Sequence, residues 1–343
     1  IEPVPEESAE LEPHYLEHAS ALYWPVSSAQ LSQAWSQALF FMLQSAAVRA
    51  HLQGLPTLKS SHPQQDPVWR VQGPHHSSYS LALVNRSLAL GLRECGVLSS
   101  LWDMRHPQAE ALVTDGQDIT HEEQSLSELR MRGWERAQNS FVDEAVLYND
   151  YPVNVWSLAG ATTRVLANYA WEESGYPSAW VQDINARLDL ITVVTPLVKK
   201  ILRNQGVRVP IAVVGNAVNH GHDTPHDMVD VSAARGFRFL HVSSGLKRKG
   251  VDVLLKAYGQ AFRSHDPVSL IIKTVNNPDN QCARLLAQYQ AADQHFPQVV
   301  LIDADWNDGQ MRSLYQQVDV VVMPSRAEGF GLPAAEAISH GVP

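Results

Sequence analysis

From residue 67 onward the chain alternates short apolar segments with amphipathic ones, and this pattern limits its possible folds more than anything else in it. The segments VWRVQ (68–72), VLSSLW (97–102), EAVLYN (144–149), LDLITVVT (188–195) and IAVVG (211–215) read as strands. After a gap come FRFLHVS (237–243), VSLIIKT (268–274), QVVLID (298–303) and VDVVVMP (318–324). Strands that are apolar on both faces need cover on both, which a parallel sheet with crossover helices supplies. Helical periodicity is expected over 78–95, 123–138, 196–206, 250–263, 279–291, 309–317 and 333–340, and also over ATTRVLANYAWEE (161–173) and AWVQDINAR (179–187). Two runs of alternation predict two doubly wound Rossmann-like α/β domains, 67–215 and 237–343. Residues 216–236, rich in His, Asp, Asn and Gly, read as the interdomain connection. Residues 1–66 read as a helical appendage and linker. Its apolar positions Leu31, Trp35, Leu39, Met42 and Ala46 stand at helical spacing, and Gly54 and Pro56 stop the helix.

Composition narrows the function. A net charge of −10 over 343 residues argues against a surface that tracks nucleic-acid phosphates. Two cysteines, Cys95 and Cys282, give neither a disulfide framework nor a zinc spacing, which fits a reducing, cytoplasmic setting. No apolar run reaches the ~18 residues of a membrane span; ALFFMLQSAAV is interrupted by Gln44 and Ser45. The chain starts with isoleucine, so it is expected to be a piece of a longer protein with further domains.

The chemistry concentrates in MPSRAEGFGLPAAEAISHGVP (323–343), where Glu328 and Glu336 stand eight apart. This stretch follows a buried strand, so it falls at the carboxyl end of a parallel sheet, where such folds bind ligands. Gly329 and Gly331 allow a tight turn around Phe330, and Pro333 suits the first turn of a helix. The N–H groups of residues 331–334 would then suit a phosphate. A carboxylate can accept both hydrogen bonds of a vicinal diol. Two carboxylates with amides between them make a sensible nucleotide-sugar site, although either glutamate could equally be a solvated acid near a helix start.

The same stretch resembles the donor-site motif of retaining glycosyltransferases of family 4, whose fold is called GT-B: glutamate, seven residues, glutamate, with Gly-Phe-Gly inside. FLHVSSGLKRKGVDVLLKAY (239–258) resembles the first strand and Lys-Gly helix start of that family's second domain, and LYQQVDVVVMPS the lead-in to the motif. LDLITVVTPLVKKILRNQGV with VVGNAVN is similar to the end of the first domain, and VQGPHHSSYSLALVNRSLALGLRECGV to its opening strand, loop and helix. The resemblance, over residues 67–343, implies two domains facing a cleft and transfer of a sugar from a nucleotide-diphosphate sugar to a hydroxyl acceptor in glycan or polysaccharide biosynthesis. It implies no metal and no cofactor beyond that co-substrate. Glu328 and Lys249 are the implied catalytic residues, on the donor sugar and the departing diphosphate. Glu336 would bind the ribose, and the amides of Phe330, Gly331 and Leu332 the diphosphate, with Gly329 also on the donor side. The family usually has an arginine where this chain has Ser244, and Arg248 is the substitute at hand; Asn219 stands where it often has aspartate. Two alternatives fit the same fold: a nucleotide-sugar epimerase, and a non-catalytic scaffold domain.

Acceptor-side candidates follow the first strand, Gly73, His75, His76 and Ser78, with Asp150 after the strand 144–149. The Asp-x-Asp at 303–305 is expected to cap a strand end, and His220, His222 and His226 to belong to a polar loop. Only four strands of the second domain are readable, so that domain is expected to be incomplete.

Overall fold

The computed structural model describes residues 68–76, 79–105, 121–138, 143–158, 161–218 and 227–343. The expected N-terminal appendage, Ser78, Asn219 and the three loop histidines lie outside them. The described residues fall into two compact units: those within 68–216 together with Glu328–Phe330, and those within 217–327 and 331–343.

The first unit runs β1 (Trp69–Gln72), α1 (Ser80–Glu94), β2 (Ser99–Trp102), α2 (His121–Gln138), β3 (Asp143–Tyr148), a 3-10 turn (Val155–Leu158), β4 (Ala161–Tyr169), α3 (Ser178–Arg187), β5 (Leu190–Val193), α4 (Pro196–Asn204) and β6 (Ile211–Val213). Its six strands are all parallel, in the order β2-β1-β3-β4-β5-β6. One apolar core gathers Val146, Leu166, Ile184, Ile191, Val198 and Leu202; another gathers Val71, Leu92, Leu101, Leu129 and Leu147. Burying each such side chain stabilises by about 1.5–3 kcal/mol. Thr195 caps α4 by accepting from the Val198 N–H, and Pro196 occupies its first turn.

One expected helix is a strand. Residues 161–169 form β4, in the middle of the sheet, hydrogen-bonded to β3 and β5. Its second half is buried on both faces, so the outside-inside alternation that marks a strand is missing and Ala, Leu and Arg read as helix formers. Near its end Asn168 takes φ 48° and the register with β5 shifts. The Asn168 side chain donates to Asn216 Oδ1 at 3.1 Å, and its backbone N–H to Thr192 Oγ1 at 2.8 Å.

The second unit runs β7 (Phe237–Val242), a 3-10 turn (Lys247–Lys249), α5 (Val251–Ala261), β8 (Val268–Thr274), α6 (Cys282–Ala292), β9 (Val299–Asp303), α7 (Asp308–Tyr315), β10 (Val320–Val321) and α8 (Leu332–Ser339). Its sheet is parallel, in the order β10-β7-β8-β9. All seven residues of β8 are buried, including Lys273, whose ammonium donates to the carbonyls of Ala304 (2.6 Å) and Thr274 (3.1 Å) and lies over the Trp306 ring. Asn307 and Gln310 form a reciprocal capping box at the start of α7. Val229, Val231 and Ala234, from the segment expected to connect the domains, pack into this unit's core. β10 is shorter than VDVVVMP suggested: only Val320 and Val321 pair with β7, although Asp319 and Val322 continue the bonding to Arg238 and Leu240.

Candidate active site

Each sheet reverses its strand order once, beside its first strand. In the first unit the reversal lies between β1 and β3, in the second between β7 and β10. Open α/β sheets bind ligands outside the carboxyl ends of strands at such a reversal. The candidates from sequence fall there. Gly73, His75 and His76 follow β1 and Asp150 follows β3; Ser244, Arg248 and Lys249 follow β7, and Glu328 lies on the loop after β10.

In the second unit two loops are tied into one body. Gly250 has φ +75°, and a Cβ there would lie 2.1 Å from the Pro324 carbonyl oxygen; only glycine lets the Lys-Gly turn close on the end of β10. Arg326 donates from its backbone to the Arg248 carbonyl (2.8 Å) and from its guanidinium to the Lys247 carbonyl (2.7 Å). The same guanidinium grips Asp252 in two bonds of 2.9 and 2.7 Å, and that hydrogen-bonded pairing holds the Asp252 carboxyl below its usual range. Arg248 donates to the Ala327 carbonyl at 3.3 Å, so it also braces the motif loop. Ser244 accepts on its carbonyl from Asn277 (2.9 Å). Beneath them the buried His241 faces the Val322 carbonyl with Nδ1 and Ser243 Oγ with Nε2, both at 2.8 Å; the carbonyl only accepts, so Nδ1 carries the proton.

Gly331, at φ +84°, opens α8. Fewer amides are left open at this helix start than the sequence suggested. Pro333 has no N–H, and the Ala334 N–H is used by the Gly331 carbonyl at 3.0 Å, which leaves the amides of Gly331 and Leu332 from the helix start. Glu336, half-buried one turn into α8, accepts from the Tyr315 hydroxyl at 2.7 Å.

In the first unit, a Cβ on Gly73 (φ +151°) would lie 2.2 Å from the Asn149 carbonyl oxygen, so β1 and β3 also close on a glycine. Asn85 of α1 donates to the Pro74 and Asn149 carbonyls at 2.9 and 3.0 Å. His75 is 2% exposed and sits 3.0 Å from the Gly73 carbonyl; burial first, then the neighbouring His76 ring, push its pKa down to about 3. It is a neutral imidazole at neutral pH. Arg105, after β2, bridges Asp103 (3.2 Å) and Asp150 (3.3 Å). Burial raises the Asp150 carboxyl; burial also acts on Asp103, but its bonds from Arg105 more than offset that and lower it. Among the described residues, no three His, Cys, Asp or Glu side chains converge as metal ligands.

Several residues here escaped the sequence reading: Asn85, Asn149, Asp103 and Arg105 in the first unit, and His241, Asp252, Tyr315 and Arg326 in the second. A polar residue inside a strand otherwise apolar, as at His241, was the only local signal available.

The fold is that of the GT-B glycosyltransferases. A UDP-forming α,α-trehalose-phosphate synthase from Burkholderia xenovorans aligns with TM-score 0.51 at 12% identity, over 80% of this chain and 82% of that one. Residues 179–343 match the family model of family 4 glycosyltransferases in conflict systems. A curated MMP α-(1→4)-mannosyltransferase of Mycolicibacterium hassiacum is 31% identical over 101 residues, which span 29% of this chain and 23% of that relative. The chain also aligns with 44% of the pneumococcal O-GlcNAc transferase GtfA, solved with UDP and GlcNAc, at 20% identity and TM-score 0.42. No helix among the described residues is long and apolar enough to cross a membrane.

Proposed function

We propose that this chain transfers a sugar from a nucleotide-diphosphate sugar to a hydroxyl acceptor, with retention at the anomeric carbon and without a metal. The observation that carries the reading is the joining of the Lys-Gly turn to the motif loop at the second unit's strand reversal. Lys249 lies on that turn, the Gly331 and Leu332 amides at the start of α8 and Glu336 one turn into it, with Glu328, Gly329 and Phe330 on the loop before. Such a set suits a diphosphate flanked by two polyols. Glu336 takes the ribose, Glu328 the sugar, and Lys249 the charge that builds on the departing phosphate. The anomeric C–O bond to phosphate breaks, the acceptor oxygen bonds to the same face, and its proton passes to the departing phosphate oxygen. The protein's part is placement and leaving-group stabilisation. Gly73, His75, His76, Ser78 and Asp150 remain the proposed acceptor-side residues, to be tested one by one by substitution. The matched family is one of conflict systems, and a glycan hydroxyl is the acceptor class to screen first.

Calorimetry with free nucleoside diphosphate tests the assignment. Glu336→Ala should weaken binding by about 1.5–3 kcal/mol, whereas Glu328→Ala should leave it nearly unchanged and lower turnover of the nucleotide sugar. Equal losses in both variants defeat it. Turnover should persist in EDTA; activity that disappears and returns with manganese would make the Asp303–Asp305 pair a metal site instead.

A further inference from the structure

We infer that Tyr315 is a positioning residue for Glu336, and so sets how strongly the site distinguishes a ribonucleotide from its 2′-deoxy form. The inference rests on the ribose assignment above. Tyr315 is the last residue of α7, and Glu336 lies on α8, 21 positions later. The tyrosine is 1% exposed and packs in the same core as Leu314, Ala337 and Val342. Its hydroxyl lies 2.7 Å from Glu336 Oε2 and 3.3 Å from the Pro333 carbonyl. One hydroxyl proton cannot serve both equally, and the shorter, charge-assisted contact takes it. At the far end of α8 the His340 ring lies nearly parallel to the Tyr315 ring, centroids 5.4 Å apart and planes 22° apart. The tyrosine is therefore held along its length, and its oxygen has one direction to point.

Burial and the adjacent carboxylate raise the tyrosine pKa well above 10.0, so the group is a proton donor throughout the working pH range. A glutamate on the first turns of an exposed helix would sample several rotamers, each ordering step costing entropy when a ligand binds. Here one carboxylate oxygen is already anchored from inside the core, which fixes the plane in which a diol must approach. Nothing local in the sequence marks the pair, because a Tyr and a Glu 21 apart share no helix face.

The test uses the full chain, with UDP and GDP as probes and the tighter of the two compared with its 2′-deoxy form. Tyr315→Phe keeps the ring and deletes the donor. Ribonucleotide affinity should fall about three- to tenfold, less than the worth of the bond itself because it acts through the carboxylate, while 2′-deoxynucleotide affinity changes less than about twofold. A purely structural role would weaken both ligands alike, so the ratio carries the answer even if the variant is less stable. Site-specific 3-fluorotyrosine at 315, close in shape and a stronger donor, is the second variant, and it should hold or raise the ratio. Equal weakening of both nucleotides by Tyr315→Phe, or a fallen ratio with fluorotyrosine, overturns the inference alone. If Glu336→Gln leaves the preference for the ribonucleotide over its 2′-deoxy form unchanged, or the wild type binds neither nucleotide, the ribose assignment fails and the inference falls with it.

Discussion

The two strand reversals of this molecule share a device and differ in what surrounds it. At each, a glycine beyond the first strand lets the chain close on a carbonyl just past the strand across the reversal: Gly73 on Asn149, and Gly250 on Pro324. Around Gly73 the crevice is walled by buried polar side chains, with Asn85 and Asn149 fully enclosed and His75 held neutral. Around Gly250 the wall is mostly backbone, and its charges stay near the surface, with the Arg326–Asp252 pair more than a third exposed. A crevice walled by buried amides and imidazole is stiff and sensitive to protonation. A crevice of turns and exposed charges is sensitive to backbone shape and tolerant of side-chain change.

The largest expected effects come from the shared device. Gly250→Ala and Gly73→Ala each force a Cβ against backbone oxygen at positive φ, and each should destabilise its own unit by about 2–5 kcal/mol. Urea unfolding followed by a probe in each unit checks this. A variant that loosens both units together would show that the two crevices are not independent.

Next in size is a difference in pH response. His75 has a folded pKa near 3 against an ordinary value of 6.5. The unfolded chain therefore binds a proton that the folded first unit refuses. Stability from this group is fully present above about pH 6.5 and is lost as pH falls toward 3, with a slope of at most about 1.4 kcal/mol per pH unit. His75→Asn should flatten that slope in the first unit and leave the second unit's profile unchanged. An unchanged slope would show that His75 is not the group responsible.

The smallest effect is expected at the exposed pair. Arg326→Ala should leave the unfolding midpoint of the second unit within error, because an exposed ion pair contributes little. Its KM for the nucleotide sugar should rise several-fold, since the guanidinium also holds the Lys247 carbonyl. A changed midpoint with an unchanged KM would assign the pair to folding and not to the crevice.

The sequence disclosed the second unit better than the first, and the reasons are particular. β7, β8 and β9 are runs of apolar residues ended by turn signals, and the glutamates with their Gly-Phe-Gly turn form one contiguous string. β4 was concealed because ATTRVLANY is buried without alternation and is made of residues that helices also favour. Fewer amides are open at 331–334 than the spacing suggests, because proline has no N–H and the Ala334 N–H bonds to the Gly331 carbonyl. The contacts that complete each crevice join residues far apart in the chain: Arg326 with Asp252, Tyr315 with Glu336, Asn85 with Asn149. Local spacing carries no trace of such pairs, which only the folded chain brings together.

Lys273 gives the second unit a property that concerns chemical labelling. Its amine is enclosed by two carbonyls and an indole, and burial lowers its pKa. Amine-reactive reagents in water will modify the exposed Lys199, Lys200 and Lys256 at once, but they can reach Lys273 only when the end of β8 parts from the Ala304–Trp306 loop. The labelling rate of that single residue, divided by the rate at an exposed lysine, is therefore a measure of how often this part of the unit opens under native conditions.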